Sequence, residues 1–363
     1  MKIAIEVGTR PEIIKMAPVI RACIARGVDY RILHTGQHYS DEMDGVFFRE
    51  LELPPPHLNL EVGSGSQAYQ IAAIVRGMEP VLTQERPDVV LVEGDTNSVL
   101  ATALTAQKLG IAVGHVEAGL RSYDRTMPEE INRILTDHLS DFLFAPTEHA
   151  RGILRTEGIA EARVHVTGNT VVDEVLRQRE RARDPKVLER FGVEPGRYAL
   201  ATVHRAENTD HLGRLKGIFE GLARCGREMN MPVLAALHPR TTKRLETSGI
   251  ALDGVVRALP PLPYLQFLAL HDQAGLMLTD SGGLQEEACC LGVPCVTLRD
   301  NTERPESVEV GANQLAGADP DAIVRAAHAM RGRKGEWTNP FGDGRAGERI
   351  VDILIAALPG RRA

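Results

Sequence analysis

Several features that identify common protein classes are missing from this chain of 363 residues. Acidic residues outnumber basic ones by 49 to 42, and the net charge of -7 argues against a general nucleic-acid binder or a basic membrane-surface protein. No apolar run approaches the roughly 20 residues that span a bilayer. An apolar strand pattern begins directly after Met1 and Lys2, so we expect no secretory signal.

Cysteine is scarce, and its spacing matches none of the usual metal-binding motifs. The cysteines are odd in number and lie in apolar or helical patterns: Cys23, Cys225, Cys289, Cys290 and Cys295. This distribution predicts reduced, structural thiols in a cytoplasmic protein and no metal site.

Two nucleotide-binding fingerprints are also missing. No G-x-G-x-x-G follows the first strand pattern, and no G-x-x-x-x-G-K-[ST] occurs anywhere in the chain. The absence of both fingerprints argues against NAD chemistry, FAD chemistry and ATP hydrolysis as functions of this protein.

The chain does contain short apolar runs that alternate with amphipathic segments. Runs such as KIAIEV and DVVLVEG are continuous, which is typical of strands covered on both faces of a parallel sheet. The length predicts two domains. We expect doubly wound, Rossmann-like α/β domains at 1–168 and 169–343, a charged connection at 177–196, and a helix at 346–358 that packs back on the first domain. Two such domains facing a central cleft would hold one ligand between them.

The stretch IEVGTRPEIIKMAPVI predicts a buried strand that turns into a helix. Gly8 suits a sharp turn, and Pro11 suits the first helical position, where its missing N–H costs nothing. Arg10 and Lys15 place two cations at a junction whose exposed N–H groups already favour an anion. We therefore expect an anion to bind here.

The stretch TDSGGLQEEA predicts a second anion site. A strand pattern ends before Ser281, and a helix is expected to begin near Leu284. Gly282 and Gly283 would let the backbone approach a bulky anion at the helix N-terminus, and Glu287 would accept hydrogen bonds from a ribose diol. A tight turn followed by an acidic helix face is the alternative interpretation.

Other predicted strand ends carry more ionisable residues than packing requires. They include Asp95 after LVEG, Glu117 after GHV and His204 after ATV. Taken singly, Asp95 suits a helix N-cap, Glu129 a helix start after proline, and His238 a turn. Their recurrence at matching positions of a two-domain α/β protein favours a functional site.

Ten motifs, in order, make a family resemblance specific. They run from about Lys2 to Ile350: GTRPEIIKMAP, TGQH, GDTNSVLAT, HVEAGLRS, MPEEINR, TGNTVVD, HRAEN, TDSGGLQEEA, RDNTERPE and NPFGDG. Together they resemble the non-hydrolysing UDP-N-acetylglucosamine 2-epimerases. The resemblance implies the GT-B fold, a homodimer, and interconversion of UDP-N-acetylglucosamine and UDP-N-acetylmannosamine for cell-surface polysaccharide synthesis, without a metal or nicotinamide cofactor.

The resemblance also implies a mechanism and a set of site residues. A base removes the C2 proton while UDP leaves C1, and UDP then adds back to the resulting 2-acetamidoglucal. This route needs carboxylates near C2, donors for the pyrophosphate and a closed cleft. Which carboxylate faces which side of C2 stays open. The implied residues are catalytic Asp95, Glu117, Glu129, Lys15 and His204, with Arg10, Arg133, Ser281, Gly282, Gly283 and Glu287 for the substrate.

A second UDP-N-acetylglucosamine site, which activates the enzyme, is a further feature of the family. Gln37 and His38 match the glutamine and histidine of that site, and Arg205 and His238 lie at matching strand ends. The residues after His38, YSDEMD, depart from the commoner bacterial pattern. Polar loop residues lining a solvated cleft are the alternative interpretation of all four.

Four other functions stay open. An epimerase of UDP-2,3-diacetamido-2,3-dideoxyglucuronate shares the fold and much of the sequence, but such enzymes tend to begin with a GARPQ-type turn where this chain has GTRPE. A hydrolysing epimerase would let water intercept the glycal, and a glycosyltransferase would need an acceptor pocket. A catalytically silent nucleotide-sugar sensor would not require Asp95, Glu117 and Glu129.

Overall fold

The protein is built of two α/β units in the computed structural model, which describes residues 1–36 and 41–358, with the backbone alone at 41–44. One unit comprises Met1–Glu174 with Phe341–Ala363, and the other comprises Val175–Pro340. Each unit contains one parallel sheet whose strands alternate with helices along the chain. The predicted fold class, two doubly wound α/β units, is therefore confirmed.

The first unit holds seven strands among its described residues. They are β1 (Lys2–Val7), β2 (Asp29–His34), β3 (Leu58–Asn59), β4 (Val89–Glu93), β5 (Ala112–Val116), β6 (Phe142–Ala145) and β7 (Val164–Val166). The helices between them are α1 (Arg10–Ala25), α2 (Asp41–Glu50), α3 (Gln67–Glu85), α4 (Asn97–Lys108), α5 (Pro128–Leu139) and α6 (Glu148–Thr156). The strand order is β3-β2-β1-β4-β5-β6-β7, and every pair is parallel.

The second unit repeats this plan. After α7 (Thr170–Ala182) its strands are β8 (Ala199–Thr202), β9 (Val233–Ala236), β10 (Val256–Leu259), β11 (Leu276–Thr279), β12 (Cys295–Thr297) and β13 (Asn313–Leu315). Its helices are α8 (Pro185–Phe191), α9 (Ala206–Thr209), α10 (Leu212–Glu228), α11 (Pro239–Thr247), α12 (Tyr264–Gln273), α13 (Gly282–Leu291), α14 (Pro305–Glu309) and α15 (Pro320–Met330). The strand order is β10-β9-β8-β11-β12-β13.

Burial explains why these segments form parallel sheets. All five residues of β4 are buried, as expected for a strand with helices on both faces. On α10, Leu215, Ile218 and Leu222 recur at helical spacing and are fully buried in the core of the second unit. In each sheet the strand order reverses at one point, between β1 and β4 and between β8 and β11. Ligands of doubly wound folds bind beyond the strand ends at such points.

Some local predictions differ from the structure. Helix α13 begins at Gly282, with Ser281 as its N-cap, rather than near Leu284. Asp95 is not an N-cap, because the Thr96 side chain accepts the N–H of Val99 at the start of α4. The charged stretch 177–196 contains the end of α7 and all of α8, while the chain enters the second unit earlier, within α7.

Two predictions from composition can be checked in the structure. All five cysteines lie within the described residues and are free, and four of them are buried. This agrees with reduced, structural thiols. Across residues 1–36 and 41–358, no helix is both long and apolar enough to cross a membrane.

Helix α16 (Ala346–Ala357) packs closely against α1 within the first unit. Asp173 accepts hydrogen bonds from the N–H groups of Ala346 at 3.0 Å and Gly347 at 2.8 Å, which holds the start of the helix. A Cβ atom on Gly347 would lie 2.7 Å from the carbonyl carbon of Pro18 and 2.8 Å from its Cβ. The two helix backbones therefore touch at this glycine.

We expect Gly347→Ala to lower the free energy of unfolding by about 1–3 kcal/mol, because the new methyl group would meet helix backbone that cannot move aside. This loss should exceed the roughly 1 kcal/mol by which alanine favours a helix over glycine. Gly152→Ala in α6 is the matched control, since no atom lies within 4 Å of the Cβ it would add. Chemical unfolding measures both variants, and equal effects would contradict the close helix contact.

Candidate active site

The first strand–helix junction is held together by Glu12 of α1. Its carboxylate accepts the N–H of Gly8 and, at 2.9 Å, the N–H of Thr9. The Thr96 hydroxyl donates to its other oxygen at 2.7 Å, which ties the loop after β4 to the start of α1. A Cβ on Gly8 would lie 2.5 Å from the Ser98 hydroxyl oxygen. Glycine is thus required here by close packing.

The two cations predicted at this junction have different surroundings. Lys15 is buried, and its Nζ lies 2.6 Å from Glu117 Oε2 and 3.0 Å from Glu93 Oε1. Arg10 is partly exposed, with its guanidinium 5.2 Å from the centre of the Phe47 ring. Lys15 therefore organises a carboxylate pair, while Arg10 lies at the rim of the same junction.

Two further buried carboxyl groups, Glu6 and Glu12, lie near Glu93. Burial raises the pKa of Glu6 well above its ordinary value, and the neighbouring Glu12 and Glu93 raise it further. Burial likewise raises the pKa of Glu93, because it outweighs the attraction of Lys15. Burial thus favours the protonated forms of Glu6 and Glu93, and the shorter of the two contacts of Lys15 is the one to Glu117. In the sequence, Glu6 and Glu93 stand out only as single acids within the apolar runs KIAIEV and VVLVE.

Glu117 itself has an unusual backbone. Its φ angle is +68°, a left-handed conformation that side-chain-bearing residues rarely adopt. Asn169 donates from Nδ2 to Glu117 Oε2 at 3.0 Å, and the N–H of Asn169 is held by the carbonyl of Phe341 at 2.7 Å. Such conformations cost free energy and concentrate at functional sites. Asn169 lies in the motif TGNTVVD, but no feature of the sequence marks its side chain as a partner of Glu117.

Asp95 follows β4 and is held by residues of α5. Arg133 contacts the Asp95 carboxylate and also donates to Glu130 at 2.6 Å. Asn132 donates to the backbone carbonyl of Asp95 at 3.0 Å. Glu129 lies in the first turn of the same helix and is partly exposed. The first unit thus collects five of the predicted residues at one edge of its sheet: Lys15, Asp95, Glu117, Glu129 and Arg133.

The adjacent acids Glu129 and Glu130 have different surroundings. Glu130 is buried and accepts from the N–H of Ser122 at 3.0 Å, the Ser122 hydroxyl at 2.9 Å and the N–H of Tyr123 at 2.8 Å. Glu130 is therefore engaged in holding the loop before α5. This leaves Glu129 as the acid that reaches the surface of the site.

In the second unit, His204 pairs with a buried aspartate. Its Nδ1 lies 3.0 Å from Asp280 Oδ1, and its N–H donates to the same carboxylate, as does the N–H of Arg205 at 3.0 Å. Burial alone would raise the pKa of Asp280, but His204 and these donors hold it below its ordinary range. Asp280 thereby joins the ends of β8 and β11 at the switch point.

The glycines at the start of α13 have distinct roles. A Cβ on Gly282 would lie 2.7 Å from Nη1 of Arg304, so this glycine makes room for a cation beside the helix N-terminus. No atom lies within 4 Å of a Cβ built on Gly283, which borders open space. The N–H of Ser281 donates to the Thr279 hydroxyl at 2.9 Å. A helix N-terminus with an adjacent arginine is suited to an anion.

Glu287, one turn into α13, is largely buried beside a histidine. Glu287 Oε2 lies 3.6 Å from Nδ1 of His271, and that oxygen has no hydrogen-bond partner among the described residues. His271 is completely buried on α12. A buried acceptor without a donor is costly in the unliganded protein, which suits a group that a ligand hydroxyl would satisfy.

The residues predicted for the second nucleotide-sugar site are only partly visible. Gln37 and His38 lie outside the described residues. His238 is exposed and is the N-cap of α11, where its Nδ1 accepts the N–H of Arg240 at 3.2 Å. This matches the turn interpretation of His238. Among the residues that the structure describes, no cluster of three or more histidine, cysteine or acidic side chains is arranged to hold a metal ion.

A known family matches nearly the whole chain. The family model described as UDP-N-acetylglucosamine 2-epimerase matches residues 21–355. The chain belongs to this family. Membership confirms the predicted resemblance and the predicted enzyme class, an epimerase.

Individual relatives of this family are similar over their full length. The chain is 51% identical over 361 residues to a UDP-N-acetylglucosamine 2-epimerase of Methanocaldococcus jannaschii, covering 98% of this chain and 99% of that protein. It is 42% identical over 359 residues to the UDP-2,3-diacetamido-2,3-dideoxy-D-glucuronate 2-epimerase of Pseudomonas aeruginosa, covering 98% and 99%. A crystal structure of the M. jannaschii epimerase with UDP-N-acetylglucosamine and UDP superposes with a TM-score of 0.93, covering 98% and 100% of the two chains.

The buried carboxyl groups predict a dependence of stability on pH. Burial raises the pKa of Glu12 to about 7, although its hydrogen bonds oppose the shift. Because the native state keeps a proton that the unfolded chain releases, the contribution of Glu12 is full below its unfolded pKa and is lost as pH rises through about 7. Glu12→Gln retains a neutral side chain that can donate to Thr96, so its unfolding free energy should lack this slope.

We expect the fall in unfolding free energy between about pH 5 and pH 7.5 to shrink by about 2.5 kcal/mol in Glu12→Gln. Guanidinium unfolding at several pH values measures the change. Glu79→Gln, at an exposed position on α3, is the control that should retain the full slope. An unaltered slope in Glu12→Gln would show that this carboxyl is ionised throughout.

Proposed function

We propose that this protein interconverts UDP-N-acetylglucosamine and UDP-N-acetylmannosamine by elimination and re-addition of UDP. The 51% identity to the M. jannaschii epimerase over nearly both whole chains supports the substrate. The observation that carries the chemistry is the buried pair of Lys15 and Glu117 at 2.6 Å, because a cation at this distance favours the ionised form of the carboxylate.

The proposed route avoids a difficult deprotonation. The C2–H bond has no adjacent carbonyl to stabilise a carbanion. In an anti elimination a carboxylate takes the C2 proton, the C–H electron pair forms the C1=C2 double bond, and the C1–O bond breaks to release UDP. Return of a proton to the other face of C2 and of the UDP oxygen to C1 gives the epimer. These steps are redox-neutral together and return the protein to its starting state. The reaction therefore balances without a cofactor.

Residues of the first unit are proposed to act on the sugar. Strands β4 and β5 are neighbours, so Asp95 and Glu117 follow strand ends at the same edge of the sheet. Glu117, paired with Lys15, is suited to accept or return a proton, as are Asp95 and the partly exposed Glu129. Lys15 is suited to stabilise negative charge as UDP departs.

Residues of the second unit are proposed to bind UDP. The N-terminus of α13 would bind the pyrophosphate through Ser281 and Gly283, with Arg304 beside it. Glu287 would accept the ribose hydroxyls, and the exposed imidazole of His204 would contact the phosphates. Homodimer formation, the activating second site and a cytoplasmic location stay predictions.

A second candidate substrate has specific support. The 42% identity to the P. aeruginosa enzyme favours UDP-2,3-diacetamido-2,3-dideoxyglucuronate as the alternative, since the same elimination chemistry would serve it. The decisive experiment incubates the protein with UDP-N-acetylglucosamine in D2O and follows the anomeric protons by NMR. We expect deuterium at C2 and a second UDP-sugar. Accumulating free UDP would indicate hydrolysis, and an unchanged spectrum would favour the glucuronate or a binding protein.

We expect Asp95→Asn, Glu117→Gln and Glu129→Gln each to slow turnover by about 10²-fold or more, because an amide cannot exchange the C2 proton. UDP affinity, measured by calorimetry, should change little, since the proposed nucleotide residues lie in the second unit. Ser122→Ala is the control for local disturbance, because it alters the loop before α5 without removing a proposed catalytic carboxylate. Near-normal turnover in all three amide variants would remove the chemistry from this carboxylate group.

Glu287→Ala should weaken UDP binding by roughly 1.5–3 kcal/mol, the usual value of a hydrogen bond to a charged group. Titration calorimetry with UDP measures the loss. Glu309→Ala removes an exposed acid from α14 of the same unit and should bind UDP normally. Equal affinity of the two variants would assign Glu287 to packing with His271 instead.

A further inference from the structure

A buried hydrogen-bond network joins β5 to the loop after β4 and to α5. His115 of β5 has its Nδ1 2.7 Å from Asp137 Oδ1 and its Nε2 2.8 Å from the carbonyl oxygen of Gly94. Both side chains are buried, with His115 1% and Asp137 0% exposed. His115 therefore links α5 to the residue that precedes Asp95.

Both ring nitrogens of His115 face hydrogen-bond acceptors. A carbonyl oxygen can only accept, so Nε2 must carry a hydrogen. Burial alone would raise the pKa of Asp137, but His115 and Arg121 hold it below its ordinary range, so this carboxylate is ionised. Arg121 Nη1 lies 2.7 Å from Asp137 Oδ2. His115 thus donates from Nε2 to the Gly94 carbonyl, while its Nδ1 faces an oxygen of the Asp137 carboxylate.

This network restrains the turns that carry two proposed catalytic carboxylates. Gly94 has a φ of +86°, and its carbonyl belongs to the planar peptide that continues into Asp95. Asp137 Oδ2 also accepts the N–H of Gly119 at 3.2 Å, two residues after Glu117. A single buried carboxylate thus anchors the turn after β5 directly and the turn after β4 through His115.

Packing alone does not account for a histidine at this position. Its neighbours on β5, Val113 and Val116, are buried and apolar, and an aliphatic side chain would fill such a place without burying polar nitrogens. Buried ion pairs cost desolvation and are weak contributors to net stability. Their directional hydrogen bonds do, however, define one arrangement of the groups that they join.

We propose that His115, held by Asp137, is a positioning residue that orients Asp95 for proton transfer through the Gly94 carbonyl. This inference rests on the proposed function. His115 acts through the Gly94–Asp95 peptide, so its loss should affect the chemical step rather than nucleotide binding.

Two substitutions at one position separate the two hydrogen bonds. The amide nitrogen of asparagine lies near the place of Nδ1, so His115→Asn retains a donor to Asp137 and loses the bond to Gly94. Glutamine reaches the place of Nε2, so His115→Gln retains the donor to Gly94. We expect kcat to fall about 10²-fold in His115→Asn and by less than about 10-fold in His115→Gln, because small displacements of a reacting group cost about this much.

The KM for UDP-N-acetylglucosamine and the affinity for UDP should stay within about twofold of the wild-type values in both variants, since binding does not depend on Asp95 geometry. Thr136→Val is the control. Thr136 is buried on α5 next to Asp137, and its hydroxyl donates only within its own helix, to the carbonyl of Asn132 at 2.8 Å. Its turnover should be normal.

Several results would overturn the inference. They are a normal kcat in His115→Asn, equal losses of kcat in the two variants, or losses that merely follow the fraction unfolded in thermal melts. Absence of epimerisation by the wild-type protein would instead contradict the proposed function, so the two failures are distinguishable.

Discussion

Charge that is removed from water must be paired or protonated, and this constraint organises the carboxyl edge of the first sheet. Lys15 brings one positive charge to a place where Glu6, Glu93 and Glu117 are all buried. Burial raises the pKa of Glu6 and Glu93, which favours their protonated forms. Glu117 makes the shortest contact with the lysine, at 2.6 Å. The proposed proton transfer at C2 depends on this carboxylate with a fixed cation next to it.

The same constraint shapes the second unit with different residues. Asp280 is completely buried and stays ionised because His204 and backbone donors surround it. Arg299 is also completely buried, and it is paired with Glu303 at 2.9 and 3.0 Å and with Glu207 at 3.0 Å. The segment TERPE is therefore mainly a buried ion network. One of its members, Arg304, comes to lie against Gly282 at the start of α13.

Backbone conformation connects these electrostatic groups to the turns that carry the proposed catalytic carboxylates. Glu117 adopts a left-handed conformation between β5 and Gly119, and Gly94 does so between β4 and Asp95. Each turn is anchored by side chains from α5, a helix that also carries Glu129 and Arg133. Strain in these turns is thus balanced by hydrogen bonds from a single neighbouring element.

Residue order alone determined the fold class, the family and the strand ends where polar side chains gather, because these depend on local periodicity and on motifs read along the chain. The partners of each charge were decided by tertiary structure. Glu6 and Glu93 look alike in the sequence, as single acids in apolar runs, and their shared environment arises only because β1 and β4, far apart in the chain, become neighbours in the sheet. Glu130 is buried and Glu129 is partly exposed because of the way the loop before α5 folds over that helix. The link from His115 to Gly94 likewise depends on tertiary structure. Long-range strand order and helix packing set these distances, and no pattern within one segment contains them.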